Sequence, residues 1–317
     1  MTHISRIVSL KAFCLLGGLV LATSAKGAGS GSPLCSPDLP PGQAPEAVQT
    51  IQTTLAGVPA ILRMPKTITK PPIVLWHGLG PPASEADLME DLPLDEVPAV
   101  KVYLGLPLFG ARAPASEQDS LAQRQAEDYA LRIFEPVVAG AARELPAVLA
   151  ELRQQGCLRQ RDAIGLFGFS AGGTAVLITL LEQKAPVRVA VTINAPTGLR
   201  SAVGALERAT KQPYSWSDAS RRLAEQTDAT QHAARIAASS PGQPPRALLL
   251  FHGADDKVIV PADTLALADS LRPLYERFGA AQRLQLTVAP GVSHNWADRR
   301  TLDEVRAAVA DWFNRYL

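Results

Sequence analysis

The chain has 317 residues, 47% hydrophobic and 19% charged, with a formal net charge of +1. That is enough apolar material for a large core and an ordinary globular composition. No basic stripe with interleaved aromatics stands out, which excludes a nucleic-acid partner, and no apolar run in the body of the chain is long enough to keep it inserted in a bilayer.

The first 25 residues read as a signal peptide. Arg6 and Lys11 form a basic start, residues 12–22 an apolar stretch too short to span a membrane, and Thr23-Ser24-Ala25 a small-residue cleavage site. Cys14 has no Leu three positions before it, so no lipid attachment signal is seen. The mature chain is expected to be exported, and periplasmic or secreted if the source is bacterial. Residues 26–46 are rich in Gly, Ser and Pro and read as a flexible linker. Cleavage leaves Cys35 and Cys157. An oxidising compartment allows them to pair, but spacing alone does not show that they approach, and the alternative of two free thiols stays open.

Residues 47–317 read as one domain. Residues 48–55 alternate apolar and polar, Ala56-Gly57 turns, and 58–64 resumes, predicting a β-hairpin. A buried strand follows at 73–76, then His77-Gly78-Leu79-Gly80. Ser84 with Asp87 predicts the cap of a short helix, and 100–104 another strand. Residues 117–155 are helical in period, with interruptions expected at Pro136 and Pro146. The apolar run 163–167 is a buried strand, 174–182 a helix and 187–193 a central strand. Residues 196–245 are polar and Ala-rich with weak helical stretches, read as a cap inserted between core elements. Strand 247–251, a helix from Pro261 ended by Gly279, strand 284–288 and an amphipathic helix 302–316 complete the chain. Strands alternating with helices predict a mostly parallel sheet covered on both faces.

The chemistry centres on Gly168-Phe169-Ser170-Ala171-Gly172, which lies between a strand and a helix. In that context G-x-S-x-G marks a sharp turn presenting a nucleophilic serine. A serine hydroxyl needs a base, and the base an orienting acid, which follow in the order acid then histidine. Of the five histidines, His3 lies in the signal, His77 and His252 precede glycines in loop-shaping positions, and His232 falls before the acid candidates. His294, after Pro290-Gly291, is the base. Asp255 and Asp256 both follow the strand ending at Phe251-His252-Gly253, and the residues alone leave the choice open. The amides of Ala171 and Leu79 are the expected donors to a tetrahedral oxyanion. No H-E-x-x-H or Cys/His ligand cluster occurs, so neither a metal nor another cofactor is expected. Phe109, Tyr129, Tyr214, Trp216 and Trp296 are candidates to line an apolar pocket, Phe109, Trp216 and Trp296 foremost.

Taken together, His77-Gly78-Leu79-Gly80, Gly168 to Gly173, His252-Gly253-Ala254-Asp255-Asp256 and Gly291-Val292-Ser293-His294 resemble the α/β-hydrolase superfamily over nearly all of the chain after the linker. The elbow wording is similar to dienelactone-hydrolase-like and prolyl-oligopeptidase-like members. The resemblance implies an α/β-hydrolase fold, with the antiparallel hairpin at one edge and a small helical cap. It implies Asp256 as the acid, third after the Gly of H-G-x-x-D, and supports Leu79 through likeness to bacterial lipase loops. Ser170 departs from the cysteine of dienelactone hydrolases, no stretch can build the propeller of prolyl oligopeptidases, and the elbow lacks the aspartate of dehalogenases. The function expected is an exported serine hydrolase cleaving small carboxylic esters through an acyl-enzyme. The alternatives are a compact peptidase or amidase and, since every triad member is present, less favourably a non-catalytic binding protein of the same fold. Oligomeric state is not legible.

Overall fold

The computed structural model describes residues 34–35, 48–114, 120–238, 243–296 and 299–317. The signal peptide assigned to 1–25, and the linker assigned to 26–46 apart from Leu34 and Cys35, lie outside the described residues. The hairpin forms as its alternation requires. β1 (Gln49–Leu55) pairs antiparallel with β2 (Val58–Met64). The two loop residues, Ala56 and Gly57, both adopt positive φ, as tight hairpin loops that match strand twist demand.

β3 (Ile73–Trp76), β4 (Lys101–Leu104), β5 (Ile164–Phe169), β6 (Val187–Ile193), β7 (Ala247–Gly253) and β8 (Leu284–Ala289) complete an eight-stranded sheet in the order β1-β2-β4-β3-β5-β6-β7-β8. From β4 through β8 every pair is parallel, while β2 meets β4 antiparallel. β3, β4, β5 and β7 are buried along their whole length, which is why they read as continuous apolar runs rather than alternating ones. The pleat divides their side chains between two cores: Val74, Trp76, Leu166 and Leu248 face one way, and Ile73, Leu75, Phe167 and Leu249 the other.

The first core is covered by α3 (Gly140–Gln154), α4 (Ala171–Glu182) and α8 (Pro261–Arg277), the second by α1 (Glu85–Asp91) and α9 (Arg299–Tyr316), so helices lie on both faces. Ser84 caps α1, accepting the Asp87 N–H at 3.1 Å.

The expected interruptions at Pro136 and Pro146 do not occur. The break comes earlier, inside α2 (Leu121–Tyr129), where Asp128 is extended and its carboxylate accepts the Leu131 N–H at 3.1 Å, starting a new helix. Pro136 then sits in a π-helical segment, Ala130–Ala139. There the Gly140 N–H reaches back five residues to Glu135 O, and the wider turn accommodates a ring that an α-turn would clash with. Pro146 lies within α3.

Between β6 and β7 the polar, Ala-rich stretch forms α5 (Leu199–Thr210), α6 (Asp218–Thr227) and α7 (Ala233–Ile236). α6 begins with a reciprocal Ser217–Ser220 cap. Cys35 and Cys157 are joined by a disulfide, and the Cys35 N–H bonds Gln155 O at 3.1 Å. Among the described residues no helix is long and apolar enough to cross a membrane.

Candidate active site

Ser170 stands where β5 turns into α4, with φ 50° and ψ −119°. That is a strained backbone for a residue with a Cβ, held by its surroundings. The Ser170 N–H bonds Ile193 O at 2.9 Å, and its carbonyl accepts the Thr174 N–H at 3.1 Å. The flanking glycines are required by crossing backbones: a Cβ on Gly168 would lie 2.2 Å from Gly172 O, and one on Gly172 2.5 Å from the carbonyl oxygens of Trp76 and His77.

His294 lies on the loop after β8. Its Nε2 is 3.1 Å from Ser170 Oγ, and its Nδ1 is 2.7 Å from Asp256 Oδ2. An ionised carboxylate only accepts, so Nδ1 carries the proton and donates it to Asp256, leaving the Nε2 lone pair facing the serine hydroxyl. Asp256, 4% exposed, is held at its other oxygen by the N–H groups of Val258 (2.8 Å) and Ile259 (2.9 Å). His252 approaches from below: Nδ1 accepts from Thr264 Oγ1 at 2.7 Å, and Nε2–H donates to Ile259 O at 2.9 Å while lying 3.4 Å from Asp256 Oδ2. Burial raises the Asp256 carboxyl, but hydrogen bonds from His252 and His294, the attraction of His294 and the Ile259 amide outweigh it and hold the group at about 2. It therefore stays anionic. Asp255, the other candidate acid, is exposed, its N–H spent on Val292 O.

The His77–Gly80 loop runs against the serine, since a Cβ on Gly78 would lie 3.2 Å from Ser170 Cβ. His77 is fully buried, and burial lowers its pKa to about 4, leaving it neutral. Its Nε2 accepts the Leu106 N–H at 3.1 Å, so the proton sits on Nδ1 and is donated to Gly78 O at 2.7 Å. Gly78 O and Leu79 N–H belong to one peptide unit. In a trans peptide they point opposite ways, so His77 sets the direction of the amide singled out as an oxyanion donor. Ala171, the other such residue, opens α4, where a helix start leaves N–H groups without intrahelical partners.

One residue of this region went unnoticed in the sequence. Asn194, at the end of β6, is fully buried with φ 49°. Its Oδ1 accepts the Gly253 N–H at 2.7 Å, and its Nδ2 donates to Ser293 O at 3.0 Å and His294 O at 2.7 Å. It thus ties the histidine loop to the strand end that leads into Asp256. A non-glycine residue tolerant of positive φ directly after a β-branched strand was the available signal.

The candidate pocket aromatics occupy different settings. Phe109 is half-buried and meets the His77 ring edge-on at 5.8 Å. Trp216 packs edge-on against Tyr214 at 5.0 Å, beneath the Arg200 guanidinium at 5.6 Å. The Tyr214 hydroxyl donates to Asp128 at 2.5 Å, and Tyr129 is buried in the first core. Trp296 packs in the second core against Phe169 (4.4 Å), which in turn lies 5.3 Å from the His294 ring. Its indole N–H is donated to Asp91 at 3.0 Å, and only 4% of the residue is exposed, so it supports the histidine loop from beneath. Among the described residues no group of three or more His, Cys, Asp or Glu could hold a metal ion.

Several solved structures share this fold. TT1662 from Thermus thermophilus matches with a TM-score of 0.61 at 22% identity, covering 84% of this chain and 98% of that one. The acylaminoacyl peptidase of Pyrococcus horikoshii matches at 0.59 and 14% identity over 86% of this chain and 42% of its own. The esterase Pf2001 of Pyrococcus furiosus matches at 0.53 and 12% identity, covering 85% of this chain and 92% of that one. Identities this low establish the fold alone. No curated protein matches the sequence. The sequence model of the prolyl oligopeptidase family matches residues 139–317, more than half of the chain and the stretch that carries Ser170, Asp256 and His294. By that match the chain belongs to the prolyl oligopeptidase family, and it is a serine hydrolase of the α/β type.

Proposed function

We propose that the protein is an exported serine hydrolase that cleaves small carboxylic esters through an acyl-enzyme. The observation that carries the reading is the unbroken hydrogen-bonded line from Ser170 Oγ through His294 to the anionic Asp256. As Ser170 Oγ attacks the ester carbonyl, His294 Nε2 takes the hydroxyl proton, while Asp256 holds the ring and stabilises the imidazolium. The oxyanion is received by the Ala171 and Leu79 amides. His294 returns the proton to the departing alkoxide, leaving the acyl group on Ser170. It then draws a proton from water, the resulting hydroxide attacks the acyl carbonyl, and the carboxylic acid leaves as Ser170 regains its hydrogen. The α5–α7 segment is assigned to cover the substrate, with Phe109 and Trp216 on its apolar side. The Cys35–Cys157 disulfide supports export, because such bonds persist in oxidising compartments.

A second reading, a compact peptidase or amidase, is favoured by the family match itself. Hydrolysis of a short p-nitrophenyl ester and of a peptide anilide, each with and without a serine-reactive phosphonate, separates the two. Phosphonate-sensitive turnover of the ester well above that of the anilide is expected. The reverse preference would transfer the assignment to the peptidase, and phosphonate-insensitive turnover would remove Ser170 from the mechanism.

A further inference from the structure

A cavity of about 640 Å³ opens at the edge of the sheet where β5, β6, β7 and β8 begin. Ser170, Asp256 and His294 follow the other ends of β5, β7 and β8, roughly 20 Å away at the rise of an extended strand. The two sites are therefore separate.

The described lining of this cavity carries four guanidinium groups, Arg161, Arg188, Arg246 and Arg283, and no carboxylate. Two are held in place without an acid. Arg246 donates to the carbonyls of Ile236 (3.2 Å) and Ala238 (2.8 Å). Arg283 donates to Pro245 O at 2.6 Å and lies over the Tyr316 ring at 5.1 Å. Burial lowers the Arg246 pKa, and no carboxylate offsets that burial. Arg161 and Arg188 stand exposed at the rim. Like charges gathered in a concavity repel one another and focus a positive potential, which an anion would relieve. Guanidinium forks match phosphate oxygens in pairs, and the volume is that of a small-molecule site rather than of a single ion.

We propose that this cavity binds a multiply charged, phosphate-bearing anion, either free in solution or as the headgroup of a lipid. Arg246 and Arg283 are the preset anchors, and Arg161 and Arg188 close on the ligand from the rim. Held this way, the protein turns its Ser170 edge away from whatever bears the phosphate.

The test is calorimetric titration of the full chain with inorganic pyrophosphate at constant ionic strength, beside flotation with vesicles of phosphatidylcholine and phosphatidic acid. Saturable 1:1 binding is expected, weakened about tenfold for each rim guanidinium lost, so about a hundredfold in Arg161→Gln/Arg188→Gln. Both residues are exposed, so the fold survives, and hydrolysis of a p-nitrophenyl ester at Ser170 is unchanged. Arg221→Gln on α6 serves as the control and binds as the parent does. Pyrophosphate binding without flotation identifies a free anion, and flotation that pyrophosphate competes away identifies the headgroup. Absence of both, or binding equal in the double variant and the parent, overturns the proposal.

Discussion

Asn194→Ala removes three hydrogen bonds at one stroke. The Gly253 N–H and the carbonyls of Ser293 and His294 lose their partner in a place where the side chain is fully buried. A buried N–H left unsatisfied costs about 1–3 kcal/mol, and the two carbonyls, on partly exposed residues that water can reach, about 1 kcal/mol each. The new alanine must also hold the positive φ of this position, a further cost of about 1 kcal/mol. The sum, about 4–6 kcal/mol, is a large part of the stability of a typical domain, so a folded protein with a much lower urea midpoint is expected. The same bonds fix the loop that carries His294, and a displacement of about 1 Å at the base costs roughly a hundredfold in turnover. Asn194→Asp should be as damaging, because it keeps the acceptor for Gly253 but turns a second carboxylate oxygen on the two carbonyls. The measurements are urea unfolding and the kcat for a p-nitrophenyl ester on the folded fraction. Stability within about 1 kcal/mol of the parent, together with unchanged kcat, would refute the clamp.

Ser170→Ala should abolish phosphonate-sensitive ester turnover by several orders of magnitude while leaving the circular dichroism spectrum unchanged; activity above a few per cent would exclude Ser170 as nucleophile. Asp256→Asn should lower turnover by about 10⁴, since the amide no longer holds the required tautomer, whereas Asp255→Asn should be mild; the opposite ranking would show that the wrong carboxylate had been assigned. Stability should fall as the pH drops from the ordinary histidine value of 6.5 toward about 4, by about 3 kcal/mol, because the unfolded chain takes up a proton that buried His77 refuses; an equally steep slope in His77→Gln would show that another group is responsible. Asp256 adds loss of the same sign between 3.8 and about 2. Reducing the Cys35–Cys157 bridge, which spans a separation of 122 residues, should lower the melting temperature without abolishing ester turnover. The chain-entropy ceiling is about 4–5 kcal/mol, and an unchanged melting temperature would contradict a stabilising bridge.

What the sequence determined by itself was everything governed by near neighbours. The two-residue hairpin loop, the Ser84 cap and the strand–Ser170–helix elbow depend on residues a few positions apart, and their physics is written in single motifs. The alternation of strands and helices was enough for the layered sheet, because an apolar run of four to seven residues must be covered on both faces. The helix break was misplaced for a related reason. Pro136 forbids an ordinary α-turn but not a wider one, while Asp128, unremarkable in the sequence, had a local N–H to capture. Spacing alone leaves Asp255 and Asp256 open and only the family resemblance favours Asp256; the tertiary structure supplies the reason, since Asp256 faces inward, where the amides of Val258 and Ile259 and the ring of His252 converge, while its neighbour Asp255 faces water. The pairing of Cys35 with Cys157 likewise needed the approach of distant segments. So did the Asn194 clamp, whose partners lie 59 to 100 residues away, and the four arginines collected from the beginnings of neighbouring strands. A hydrogen bond or a shared cavity between distant residues leaves no periodicity in the chain, because its geometry is set by the packing of the whole sheet and not by the local backbone.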